Sequence, residues 1–157
     1  MKRTILSISL SLLLVVTFPV AANKGEWAVL VDGTGFYSRP INSESELAQQ
    51  FFDQGLRLMY GYYAPEAVAS HMQALEYDPD NPMIYCGLAL ALGPNPNSRY
   101  GQMRDDPKGN AAKAIARAME LSGSASPRDL GLIEAVWIRF DTKNYPSQRE
   151  RDAESEH

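Results

Sequence analysis

The chain has 157 residues, with 15 basic against 19 acidic ones, a formal charge of −4 and a single cysteine. That length suits about one ordinary domain. The acidic balance excludes a broad nucleic-acid surface, which needs clustered Lys and Arg, and one cysteine excludes an internal disulfide.

Residues 1–22 read as a secretory signal peptide. Lys2 and Arg3 give a short basic start. Ile5 to Phe18 is an apolar run diluted by Ser7, Ser9, Ser11 and Thr17, and Val20, Ala21 and Ala22 are small residues at a cleavage site. A membrane-spanning helix needs about 20 apolar residues, more than this run offers. No cysteine follows it to carry a lipid. The mature chain is expected to start near Asn23, in the periplasm or outside the cell, with 13 basic residues against 19 acidic ones.

Residues 23–46 are expected to form an N-terminal strap. Trp27 to Val31 is a short apolar run closed by Asp32, Gly33, Thr34 and Gly35. No second convincing strand exists to pair with it, so an extended strap is favoured over a sheet strand. A first helix starts near Ser43 or Ser45. Either serine is a suitable cap, and Glu46 stands where a capping box with Ser43 needs it. Leu47, Phe51 and Leu58 recur at helical spacing, and Gly61 to Pro65 breaks the helix. A second helix opens with Pro65 and Glu66, both favoured in a first turn. It ends at Tyr77, before the turn-forming Asp78, Pro79, Asp80, Asn81 and Pro82.

Gly55, Ala67, Ala74 and Pro79 are separated by twelve, seven and five residues. This is the spacing of a tetratricopeptide repeat, a helix–turn–helix unit of 34 residues. Gly55 admits a close neighbour, Ala67 and Ala74 let the second helix pack tightly, and Pro79 ends it. One period later Phe51, Gly55 and Leu58 map onto Tyr85, Ala89 and Leu92. The register then breaks at Gly93, Pro94, Asn95, Pro96 and Asn97, with a loop running to Pro107. It resumes in a fourth helix beginning at Asn110, where Ala111, Ala118 and Gly123 restore the offsets of seven and five. A fifth helix is signalled by Ser126 as N-cap, Pro127 and Asp129, with Leu130, Ile133, Ala135, Val136, Trp137 and Phe140 as its apolar positions. The expected class is therefore an all-α helical-repeat solenoid over residues 47–140 with an extended N-terminal strap. Residues 141–157 form a polar tail with no apolar face. Because a terminal repeat needs a cap, either the tail folds back weakly or, as favoured, the chain is the front part of a longer array. Trp137, Ile138 and Phe140 are then expected to be partly exposed, so that the isolated chain self-associates or residues 126–157 exchange amide hydrogens faster than 47–92.

The phrases LVDGTGFYSRPI, FFDQGLRLMYGYYAPEAVASHMQALEYDPDNPMIYCGLALALGPNPN and SPRDLGLIEAVWIRF resemble the N-terminal block of a largely uncharacterised group of bacterial secreted tetratricopeptide-repeat proteins, over about residues 27 to 140. FFDQGLRLMYG and GLALALGPN are the specific phrases. Members of this group run to several hundred residues, in line with a truncated chain. The resemblance implies an all-α solenoid and an export signal, and it implies no activity. The chain departs from the group where Ser38, Arg39 and Ala64 stand in place of histidines, and where His71 replaces a large aromatic residue. A metal held by those histidines in the group would have no such ligands here.

The chemistry-bearing residues are few. Only His71 and His157 are histidines, and one internal histidine with Cys86 is too little for a zinc or iron site. His71 is expected to fill an aromatic position with a hydrogen-bonded ring, and Cys86, within MIYCGLALAL, to be a buried structural thiol. No nucleophile motif is present. Asp78, Asp80 and Asn81 lack the glutamate of a calcium loop, and the glycine turn at Asp32 to Gly35 has neither the Lys nor the helix of a phosphate loop. Neither a cofactor nor catalysis is expected. What remains is a surface: the first helices of stacked repeats line a concave face that receives peptides. Gln49, Phe52, Asp53, Leu56, Met59 and Tyr60 are expected there, with Met83, Cys86 and the loop residues Asn95 and Asn97 beside them. The alternative for half of these residues is packing against the strap. Two functions follow. One is an exported scaffold that binds a protein or peptide. The other is the N-terminal part of an enzyme or metal-dependent factor whose active part lies further on, C-terminal to this segment, or in the insertion at Asn95 to Asn97.

Overall fold

A computed structural model describes residues 26–93, 107–141, 143–144 and 147–155. The signal-peptide reading of 1–22, the Asn95 and Asn97 assignments and His157 lie outside these residues. Among the described residues the protein is all-α, with no strand. Six α-helices follow in order: α1 Glu46–Tyr60, α2 Ala64–Tyr77, α3 Pro82–Leu92, α4 Pro107–Leu121, α5 Pro127–Ile138 and α6 Gln148–Ser155, with a 3₁₀ turn at Ser122–Ser124 before α5.

Local chemistry sets these boundaries. Ser45 caps α1 by accepting the Ala48 N–H, whereas Ser43 turns away and donates to Asp78 Oδ2. At the other end Tyr62 adopts φ 63°, and Tyr62 N–H and Tyr63 N–H donate to the Met59 and Leu58 carbonyls. These paired bonds form the left-handed closure that usually carries glycine; here an aromatic residue occupies it. Pro65 sits in the first turn of α2. Asn81 caps α3 by accepting the Met83 N–H, and Ser126 caps α5 by accepting the Asp129 N–H. Helix α4 starts at Pro107, three residues before the expected Asn110, because proline is well placed in a first turn.

Each helix packs on the next, and α1 also meets α3, as α3 meets α5. Helix α3 is at the centre. It is apolar on nearly every side, and Pro82, Met83, Ile84, Cys86, Gly87, Leu88, Ala89 and Ala91 are buried, as expected for a helix surrounded by others. Ala67, Ala74, Ala111 and Ala118 are fully buried, so the small residues read from the repeat spacing do lie at helix contacts. Gly123 does not: it lies in the 3₁₀ turn with no atom of the described residues close enough to require a glycine. Leu47, expected on the apolar face of α1, is exposed.

The expected polar tail holds the sixth helix. Ser147 and Glu150 cap it reciprocally. Ser147 N–H donates to Glu150 Oε2 at 2.9 Å and Glu150 N–H to Ser147 Oγ at 3.2 Å. Helix α6 rests on α5, and among its described side chains the buried one is Arg151, not an apolar residue.

Candidate functional site

The strap runs over α1 and α2 and is held by its backbone. Gln54 Oε1 accepts the Val31 N–H at 2.8 Å while its Nε2 donates to the Val29 carbonyl at 2.9 Å. Gln49 repeats the arrangement ten residues further along the strap, accepting the Ile41 N–H at 3.1 Å and donating to the Arg39 carbonyl at 2.8 Å. Each carboxamide thus grips a carbonyl and the N–H two residues later, as a neighbouring strand would. Gln73 Oε1 accepts the Trp27 N–H at 2.7 Å. Asp53 accepts the Ser38 hydroxyl at 2.6 Å and the Arg39 N–H at 2.9 Å. Arg57 reaches Thr34 Oγ1 and the Tyr37 carbonyl. Gln54, Gln73 and Asp53 are buried, so these bonds also satisfy groups that would be costly to bury unpaired. Arg39 Nη2 extends the strap to α5 through a 2.7 Å ion pair with Asp129. Burial pulls the Asp129 carboxyl upward in pKa, but hydrogen bonds from Ser126 and Arg39 and the Arg39 charge outweigh it and hold it below its ordinary value.

A second surface lies where the C-terminal ends of α1, α3 and α5 converge. It is a cleft of about 480 Å³ lined by Met59, Tyr60, Tyr62, Ala89, Leu90, Gly93, Leu132, Val136, Arg139 and Phe140. Its volume is that of a small ligand site, and its lining is apolar and aromatic with few polar groups. Tyr60 is two-thirds exposed, and Tyr37 meets it edge-on with ring centres 6.1 Å apart. Arg139 is the one charged residue among the described residues of the lining.

Between α1 and α3 lies the side chain of His71, from α2. It is fully buried, with its ring 5.4 Å from that of Phe52 and pressed against Gly55 and Gly87. The hydrogen-bonded ring expected from the sequence is not formed among the described residues, where both ring nitrogens are buried without a partner. The cause is packing: two glycines and a phenyl ring surround the imidazole and supply no acceptor. Burial lowers its pKa to about 3, so the ring is neutral near pH 7. Cys86 is a buried free thiol whose pKa burial pushes up to about 12. Among the described residues no group of three or more His, Cys, Asp or Glu is placed to hold a metal ion, and no helix is long and apolar enough to cross a membrane.

The residues expected on an open concave face divide three ways. Met59 and Tyr60 do line the cleft. Gln49 and Asp53 are engaged by the strap. Phe52, Leu56, Met83 and Cys86 are in the core. Helix rotation explains the correction: the α1 face bearing Phe52 and Leu56 turns toward α2 and α3, not outward. Sequence reasoning missed Gln54, Gln73, Tyr62, Leu90, Leu132 and Arg139. For the two glutamines the available signal was a carboxamide among otherwise apolar, helically spaced positions. No family model, curated protein or solved structure matches this chain.

Proposed function

We propose that this chain is an exported helical-repeat scaffold of the tetratricopeptide type that binds a protein or peptide segment, without catalysis in this segment. The observation that carries the reading is the cleft shared by α1, α3 and α5, the first helices of the proposed repeats, with Met59, Tyr60, Tyr62, Leu90 and Phe140 gathered on one open face. Tyr and Met suit adaptable protein contacts. The repeat spacing, the buried alanines and the stepwise packing of α1 on α3 and α3 on α5 support the repeat reading. The basic start, apolar run and small-residue site within residues 1–22 support export.

A displayed peptide library selected against the purified protein tests the binding reading. Selected peptides should lose about tenfold or more in affinity against Tyr60→Ala, a residue exposed enough for its removal to leave the fold intact. Peptides that bind the variant as well as the original protein would place recognition elsewhere. Failure to select any peptide would count against the scaffold reading itself. Fusion to a reporter active only outside the cytoplasm tests export.

A further inference from the structure

The strap is bound in a way that lets it be exchanged. Of its described residues 26–41 only Ile41, at 2% exposure, is buried, with Ala28 packed part-buried against the core. Trp27, Val29, Leu30, Val31, Phe36 and Tyr37 are substantially exposed. What holds the strap is the row of side chains that grips its main chain: Gln73, Gln54, Arg57, Asp53 and Gln49. The same row would make the same bonds to the same segment delivered by another molecule.

The connection to α1 favours that delivery. Asn42, between the buried Ile41 and the Ser43 contact to Asp78, has φ 51°. A non-glycine residue in the left-handed region is disfavoured, though asparagine tolerates it best. This left-handed residue folds the strap back onto its own helices. An extended Asn42 relieves the strain and carries the strap away. Short strained hinges are a known route to exchange of an identical element between protomers.

We infer that residues 26–41 exchange between two copies of this chain, with Asn42 as the hinge and the Gln49, Asp53, Gln54 and Gln73 row of each copy holding the strap of the other. The closed monomer and the exchanged dimer contain the same strap bonds, including Arg39 to Asp129. They differ in the hinge and in the entropy of association. The inference uses the strap row and does not depend on what the cleft binds.

The test measures oligomeric state by light scattering across a concentration series for the full chain, Asn42→Pro and Asn42→Gly. No hydrogen bond uses the Asn42 N–H among the described residues, so proline removes none, yet its φ near −65° forbids the closed hinge. Glycine accepts the closed hinge without strain. Asn42→Pro should raise the dimer association constant on the order of tenfold or more, and Asn42→Gly should lower it. Identity of the dimer is read by mixing a Thr34→Cys copy with an Arg57→Cys copy and adding a short thiol cross-linker. These residues touch at 3.1 Å in the closed chain, so cross-linked pairs of different copies require exchange, while Cys86 is buried and shielded. Should Asn42→Pro fail to fold by circular dichroism, the glycine variant and the cross-link still decide. A protein that stays monomeric at every concentration overturns the inference. So does a dimer insensitive to Asn42→Gly, or one whose mixed copies do not cross-link.

Discussion

The two ends of the helical array are built differently. Around α1, α2 and α3 most of α3 is buried, His71 fills the space between two glycines, and Gln54, Gln73 and Asp53 are matched to the strap. At the α5 end only Ile133 and Val136 are buried in that helix, Trp137 and Phe140 are partly covered, and the neighbour is the polar helix α6. A helix with most of its side chains buried is fixed by volume, and one that buries two is fixed more by caps and ion pairs. The front of the molecule should therefore respond sharply to volume and charge, and the back more mildly.

The largest test is acid. His71 has a folded pKa of about 3 against an ordinary 6.5. The unfolded state therefore binds the proton first. Stability is fully present above about pH 6.5 and is lost as pH falls toward 3, on the order of 4 kcal/mol from this group alone. Urea unfolding at a series of pH values measures it, and a midpoint flat between pH 7 and 4 would remove His71 from the account. Asp129, held below its ordinary pKa, acts in the same direction at still lower pH.

Next is volume. A methyl group at Gly55 would lie 2.6 Å from His71 Cε1, and one at Gly87 would lie 2.7 Å from the same atom. Both contacts are far inside van der Waals distance. Gly55→Ala should cost about 1–3 kcal/mol or more by overpacking, although alanine is the better helix former. Combining Gly55→Ala with His71→Ala should recover part of that loss. Additive losses in a double-mutant cycle would show that the ring and the glycine do not share the space.

Asp129→Asn probes the tie between front and back. It leaves the half-buried Arg39 with a weaker partner and should cost about 1–2 kcal/mol, with amide exchange accelerated in α5 more than in α3. Equal acceleration in both helices would mean that the two ends open as one unit. The smallest effect is expected at Tyr62→Gly. Relief of the left-handed φ should stabilise the fold by up to about 1 kcal/mol. Because Tyr62 lines the cleft, the same change should weaken any peptide held there. A destabilised variant would show that its ring contributes more to packing than the backbone strain costs.

Much of this architecture is legible in the residues. Ser45, Pro65, Asn81, Pro82, Ser126 and Pro127 mark helix starts because their preferences are local. Ala67, Ala74 and Ala111 mark close contacts because small size at a fixed spacing has few other uses. What could not be read is rotational and non-local. The sequence does not show which side of α1 faces the strap, so Phe52 and Met83 were expected on a surface that they underlie. It does not show that Gly87, rather than the repeat-equivalent Ala89, would meet the imidazole. Helix α6 was missed for a different reason. Its capping pair of Ser147 and Glu150 is visible, but a helix without an apolar face gives no periodic signal.

The buried thiol of Cys86 gives the fold a clock. Thiolate is the reactive form, and a group shielded in the centre of α3 with its pKa at about 12 offers almost none of it to a reagent. Labelling must wait until α3 is exposed. The rate of modification then counts openings of the central helix one molecule at a time. At high reagent concentration it reads the opening rate directly, and at low concentration the fraction of time spent open.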